Sequence, residues 1–446
     1  MRTDFTSDAL ADPACAASES VIRKCVHCGF CLATCPTYVL LGDERDSPRG
    51  RIYMIKDMLE KQQAPSAETV RHIDRCLSCL SCMTTCPSDV NYMHLIDNGR
   101  AYVAKHFRRP VKDRAIRSLL AAILPHRNRF KLALLAGRLA RPLLLLFRRV
   151  DLFAPFVAML QLLPRVEAKH VVSDWVPAGG HRRKILLFQG CAEPVLKPEY
   201  QRAAERLLDR LGIGVIRADG EGCCGALVHH MGLEAEAIVA AKRNIDRWWR
   251  VVENEAVEAI AVSASGCGTT LKNYAFLLRN DVDYAERAAT LATMVKDISE
   301  IILGEALPAR PANGVVVAYH AACSLQHGQG IVAPPADLLR RAGFTVQTPV
   351  DAHLCCGSAG TYNILQPDIA RRLAQRKADS LIELRPDVIA TGNIGCAVQI
   401  AAELSIPVVH TMELLDWTYG GPTPPALAEQ FEDRLQIDKP MVPAFW

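Results

Sequence analysis

Eight of the chain's seventeen cysteines fall into two copies of one short pattern, each closed by a proline. The first copy is Cys25-x2-Cys28-x2-Cys31-x3-Cys35-Pro36, and the second is Cys76-x2-Cys79-x2-Cys82-x3-Cys86-Pro87. Three thiols at successive x2 intervals fit one tight loop that presents them to adjacent corners of a metal–sulfur cube. The fourth, after x3 and just before proline, leaves that loop pointing the other way. Two such runs can exchange their last ligands. The pattern therefore predicts two 4Fe–4S clusters, one on Cys25, Cys28, Cys31 and Cys86, the other on Cys76, Cys79, Cys82 and Cys35. The crossing joins runs separated by 40 residues, so the clusters should also organise the surrounding fold.

Zinc and disulfides fit this pattern less well. Four-thiolate zinc sites usually set two CxxC pairs apart rather than three thiols in close succession. An odd cysteine count in a long chain argues against a disulfide framework. At 446 residues and 50% apolar content the chain can bury two or three cores, and a net charge of +4 is too mild to argue for nucleic acid. The first residues, MRTDFTSDALADPACAASES, carry early acids and no apolar core of a signal peptide. Residues 1–19 are expected to be a flexible leader with Cys15 as a free thiol, and the protein is expected to be cytoplasmic.

Residues 20–104 read as a helical, ferredoxin-like di-cluster domain. Residues 105–180 form a linker in which Arg and Lys alternate with Leu, Ala and Phe, cut into short helices by prolines at 110, 125, 142, 155 and 164. No stretch reaches the roughly 18 apolar residues a spanning helix needs. Two readings stay open for this linker: an amphipathic surface packed on neighbouring domains or a partner subunit, and a basic segment resting on the inner face of the cell membrane.

From about residue 180 the pattern becomes alternating strands and helices, and it occurs twice. KILLFQGC (184–191), a helix over 199–212 and a strand over 214–218 lead to Gly222-Cys223-Cys224-Gly225. A second strand then ends at Gly266-Cys267. VVVAYHAAC (315–323), a helix over 334–343 and a strand over 344–349 lead to Cys355-Cys356-Gly357. After a helix over 367–384, a strand over 387–396 ends in Cys396. Cys191 to Cys223 and Cys323 to Cys355 each enclose 31 residues, and the copies lie 132 positions apart. The fold class expected is thus α/β: an N-terminal helical ferredoxin-like 4Fe–4S domain followed by two repeated Cys-Cys-Gly halves with parallel sheets, over 181–312 and 313–446.

In such sheets the strand C-termini carry the sites. Cys191, Cys223, Cys224 and Cys267, with Cys323, Cys355, Cys356 and Cys396, are therefore candidates to hold an additional iron–sulfur cluster. Repetition of all four positions argues against simple packing thiols. His229, His230, His320 and His353 lie nearby but do not recur between the copies, and they read as packing or surface residues. One GxGxxG, at Gly220, Gly222 and Gly225, encloses the cysteine pair and has no counterpart in the second copy, so it reads as part of the cysteine turn.

Two ferredoxin runs followed by two Cys-Cys-Gly domains resemble the iron–sulfur subunit of glycolate oxidase. The matching subunits of anaerobic glycerol-3-phosphate dehydrogenase and of lactate-utilisation complexes are similar. The segment DSPRGRIYMIKDMLE (46–60), with Ser47, Pro48, Arg49, Gly50 and Arg51, resembles that family's insert. The resemblance implies an electron-transfer subunit with no catalytic residue of its own. A flavin-containing 2-hydroxy-acid dehydrogenase subunit would oxidise the substrate, and electrons would pass through two 4Fe–4S clusters towards a quinone or another acceptor. Heterodisulfide reductases, the alternative relatives, carry a further CxxC pair in each Cys-Cys-Gly domain. Here Ala264 and Asn393 stand at the first position of that pair, so thiol–disulfide catalysis lacks one thiol per copy.

Overall fold

The computed structural model describes residues 1–141, 157, 159, 160 and 175–428. In the first α/β half, Arg183–Leu187 (β1), Ile213–Ile216 (β2), Val257–Val262 (β3) and Val295–Asp297 (β4) form a parallel sheet in the order β2-β1-β3-β4. The second half repeats it. Val316–His320 (β5), Thr345–Gln347 (β6), Val388–Thr391 (β7) and Val408–His410 (β8) take the order β6-β5-β7-β8, again all parallel. The central strands are runs of Val, Ile, Leu and Ala because helices cover both faces, which removes the polar alternation of a half-solvated sheet. β4 and β8 are only three residues long, too short to stand out as periodic segments, and the sequence reading had no fourth strand in either half.

The helices form where apolar residues recur at three- and four-residue intervals. Pro198–Arg210 starts with proline in its first turn and buries Tyr200, Ala203, Ala204, Leu207 and Leu208 on one face. Full burial of a leucine contributes about 1.5–3 kcal/mol. This helix packs against Thr411–Thr418, and residues of β1, β3, β5 and β7 join it in one core shared by both halves. Within that seam the buried carboxylate of Asp416 accepts from Arg206 Nη2 at 2.6 Å and from Arg210 at 2.5 Å.

Ahead of the sheets, helices Pro13–Lys24, Pro48–Glu60, Ala67–Asp74 and Tyr92–His106 enclose a separate core that includes Ile22, Ile55, Leu59, Ile73, Leu95 and Ile96. The first 19 residues do not behave as the flexible leader expected. They are helical over Ser7–Leu10 and from Pro13 onward, the amino terminus donates to the carbonyls of Arg23 and Cys25, and Cys15 is buried in the same core. Asp12 caps the second of these helices and Pro13 fits its first turn, a start signal the acidic leader masked.

Pro110 and Pro125 do divide the linker, into helices Val111–Ile123 and Arg127–Ala140. Residues 142–156 and most of 158–174, with the remaining prolines, lie outside the described residues, as does the end of the second half beyond 428. No helix among the described residues is long and apolar enough to cross a membrane.

Candidate metal centres

Both cysteine runs fold into loops with the same unusual backbone. In the first, His27 and Gly29 take φ of 59° and 87°; in the second, Ser78 and Leu80, at the same places in the run, take 51° and 62°. Left-handed conformation costs a residue with a Cβ roughly 1–2 kcal/mol. Its recurrence at three non-glycine positions marks a loop shape imposed by what the thiols must surround. Cys25, Cys28, Cys31 and Cys86 line a cavity of about 430 Å³ at the surface, where Cys28, Val26 and Phe30 are exposed. Cys35, Cys76 and Cys79 line a second, of about 310 Å³. Cys82 and Tyr92 border both, so the cavities are neighbours.

The donor set suits a cationic, thiophilic group. Burial pushes the Cys79 and Cys82 thiols well above the ordinary range and Cys31 up to about 11. Without a cation among them, these sulfurs stay protonated. Iron bound among them would supply the missing positive charge and take the protons' place. The protein adds a further cation: Arg51, only 1% exposed, sits beside Cys35 and Cys76. Its Nε donates to the His72 carbonyl at 2.7 Å, and its Nη2 donates to Thr37 Oγ1 at 3.0 Å and to Asp46 at 3.3 Å. Asp46 also pairs with Arg75 and His72, each at 2.8 Å. The segment 46–60 thus has a physical role. Ser47 caps its helix by accepting from Gly50 N at 3.0 Å, Pro48 opens the first turn, and Arg51 reaches the second cavity.

In the α/β halves the eight other cysteines do gather, four to a half, beside the sheets. Cys191 and Cys223 sulfurs lie 3.5 Å apart, and Cys323 and Cys355 sulfurs 3.8 Å apart. The turns between the paired cysteines and the next helix use Gly225 and Gly357 with φ of 89° and 86°, as their sequence position requires. The neighbouring thiols of Cys191 and Cys224 hold Cys223 well below the usual thiol range, and those of Cys355 and Cys396 do the same for Cys356, with the His320 imidazole adding to the effect.

Cys267 and Cys396 do not end strands, as the sequence reading had them. β3 stops at Val262 and β7 at Thr391, and both cysteines occupy the first turn of the following helix, Ser265–Lys272 and Ile394–Glu403. Asn393 explains why no cysteine stands there. Its Oδ1 accepts from Gly395 N and Cys396 N to cap the second helix, while its Nδ2 donates to Ser265 across the seam at 3.0 Å. His320, which the sequence reading took for packing, is 1% exposed and lies with Cys356 and Cys396 so that one donor atom of each falls within 4.8 Å of the others. His229 and His230 instead face Asp97 of the N-terminal region, at 3.8 and 3.5 Å.

Residues that line the second cavity pack against the second half. Leu77 and Cys79 share one apolar cluster with Cys355, Tyr362, Ile369 and Leu373, and Cys323 packs against it. Tyr362 donates to the Arg75 carbonyl at 3.0 Å, and Thr84 meets His327 at 2.8 Å.

Comparison with known proteins agrees with this architecture. Residues 24–90 match a 4Fe-4S dicluster domain, and residues 185–272 and 317–401 match a cysteine-rich domain. The glycolate oxidase iron-sulfur subunit of Escherichia coli K12 is 40% identical over 417 residues, spanning 93% of this chain and 98% of that one. The probable glycolate oxidase iron-sulfur subunit of Bacillus subtilis is 28% identical, over 89% and 94%. Lactate utilization protein A of an Exiguobacterium species matches 52% of this chain at 26% identity. A crystal structure of a hypothetical protein from Helicobacter pylori shares the fold, with a TM-score of 0.52 at 11% identity over 94% of this chain and 74% of that one. The dicluster match and the thiol-lined cavities make this an iron–sulfur protein carrying 4Fe–4S clusters, and the chain belongs to the glycolate oxidase iron–sulfur subunit family.

Proposed function

We propose that the chain carries electrons from a flavin-containing 2-hydroxy-acid dehydrogenase subunit, glycolate being the substrate, through two 4Fe–4S clusters towards a quinone or another acceptor. Cys25, Cys28, Cys31 and Cys86 hold the outer cluster; Cys76, Cys79, Cys82 and Cys35 hold the inner one. The observation that carries this reading is the pair of neighbouring cavities, one at the surface and one lined by residues that pack against the second α/β half. Electrons enter where Cys28 is exposed, between Val26 at 66% and Phe30 at 65% exposure, an apolar rim suited to a docked partner. They leave at the seam beside Cys79. In this reading substrate oxidation belongs to the flavin-containing partner. The test is anaerobic mixing of the cluster-loaded chain with the flavoprotein and glycolate. Bleaching of the cluster absorbance and a reduced-cluster EPR signal are expected. Clusters that stay oxidised while the flavin is reduced would rule out this path.

The helix Arg127–Ala140 supports a peripheral membrane contact at the cytoplasmic face. Leu132, Leu135 and Leu139 are 67%, 56% and 76% exposed on one stripe, and the segment contains Arg127, Arg129, Lys131 and Arg138 but no acid. Such a face suits anionic lipid. Co-sedimentation with phosphatidylserine-containing vesicles is expected, weakening as salt shortens the Debye length, and falling when the three leucines become serine. Binding indifferent to lipid charge would remove the membrane reading.

A further inference from the structure

We infer that Asp97, His229 and His230 form a proton-binding site coupled to the inner cluster, taking up a proton when that cluster is reduced. The inference rests on the reading that the Cys76 run holds this cluster. Its first support is a line of side chains from the cluster loop to solvent. Arg100, buried, donates to the Cys76 carbonyl at 2.5 Å and to Ser78 Oγ at 2.6 Å, both within the ligand run. One turn earlier on the same helix stands the buried Asp97, 3.8 Å from Arg100. Across the interface, on the short helix Ala226–His230 of the first α/β half, His229 and His230 face its carboxylate at 3.8 and 3.5 Å. His229 is buried, whereas the His230 side chain is 34% exposed and reaches water.

The second support is the charge pattern. Burial opposes ionisation of Asp97, yet His229, His230 and Arg100 together hold its carboxyl down to about 2. It is therefore a fixed negative charge, and a positive charge on either imidazole gains from it. Of the other ionisable groups at this face, His94 is committed: it stacks on Phe276 at 3.4 Å and meets Asn273 at 2.9 Å, and burial holds it below the usual range. Arg279 lies over the Phe276 ring at 3.8 Å, and Glu234 acts on Arg279. That leaves His229 and His230 as the pair free to change charge near neutral pH.

The juxtaposition is also built in. A Cβ at Gly232 would meet the Arg100 carbonyl at 2.5 Å, so glycine there lets the histidine segment lie against the helix Tyr92–His106. With both imidazoles neutral, the Asp97 charge offsets part of that on Arg100. A proton on one imidazole neutralises Asp97 and leaves the Arg100 charge to the cluster loop. Reduction adds one electron to the cluster, and the imidazole takes one proton from water; oxidation returns both. By linkage, the proton favours the reduced cluster as much as reduction favours the proton.

The test is an EPR-monitored redox titration of the full, cluster-loaded chain from about pH 5.5 to about pH 8.5, with small mediators as the electron source. The reduction equilibrium constant of one cluster should fall at least about fivefold as pH rises across this range. The dependence should vanish in the double variant His229→Gln, His230→Gln with iron content unchanged. If that variant fails to fold, Asp97→Asn should move the dependence to more acid pH, because the anion favouring a charged imidazole is gone. Two clusters with flat potentials, a slope that survives in the double variant, or a window unmoved by Asp97→Asn would each overturn the inference while leaving the cluster reading intact. About four irons in place of about eight would remove that reading, and the inference with it.

Discussion

Arg51→Met is expected to destabilise the N-terminal region by about 3 kcal/mol and to lower the reduction potential of the inner cluster. Arg51 and Asp46 are essentially without solvent exposure, so removing the cation leaves a carboxylate buried with fewer partners. Arg75 and His72 still reach Asp46 at 2.8 Å, which places the loss at the lower end for a broken buried pair. The redox effect follows from sign alone. Reduction adds a negative charge to a cluster flanked by Cys35 and Cys76, and the guanidinium beside them stabilises that charge. Without it the reduced state rises in energy. Arg51→Lys should restore part of the potential but little of the stability, since an ammonium cannot donate in a planar fork to the His72 carbonyl, Thr37 and Asp46 together. Chemical denaturation and an EPR-monitored redox titration read the two effects. An unchanged potential in Arg51→Met would separate the arginine from the cluster altogether.

What the sequence made legible was whatever local spacing dictates. Two x2 intervals, an x3 and a proline define a loop, so Cys25, Cys28, Cys31 and the distant Cys86 could be grouped before any fold was known; those four line one cavity together with Cys82. The doubled order of strands and helices, with 31 residues between matching cysteines, forced two parallel sheets because each crossover needs a helix. What depends on contacts between distant segments was not legible. Asp46 draws Arg51, His72 and Arg75 from three places in the chain, and nothing in a single window signals that convergence. β4 and β8 are edge strands whose three residues gain their character only from pairing. His320 was passed over because it does not recur in both halves. The informative signal was that very mismatch, a histidine ending an otherwise apolar buried run at the position where the other copy has Phe188. The leader misled for a related reason: most of its polar residues face solvent, while Ala9, Cys15 and Ser18 form a buried side that continues into Ile22.

Cys79→Ser should halve the iron content and stop electron exit while leaving the outer cluster reducible. Each cube needs four thiolates, and Cys79, proposed as an inner-cluster ligand, lines the inner cavity and packs with Cys355 and Tyr362 of the second α/β half. Serine is nearly isosteric, but its alkoxide is a poor match for iron at neutral pH, so about four of about eight irons are lost. The surrounding Leu373 and Ile369 keep the seam closed, and the fold of both sheets is retained. Cys28→Ser makes the complementary case. Its thiol is exposed at the outer cavity, so the same iron loss should instead block entry from the flavoprotein and leave the inner cluster reducible only by small chemical donors. The pair of variants orders the path. If reduced flavoprotein still fills the inner cluster in Cys28→Ser at the rate seen in the unsubstituted chain, electrons enter elsewhere. If Cys79→Ser turns over normally with an acceptor, they do not leave past the second half. Both outcomes are read by counting iron and by freeze-quench EPR on the same samples, so loss of a cluster and loss of a route are measured separately.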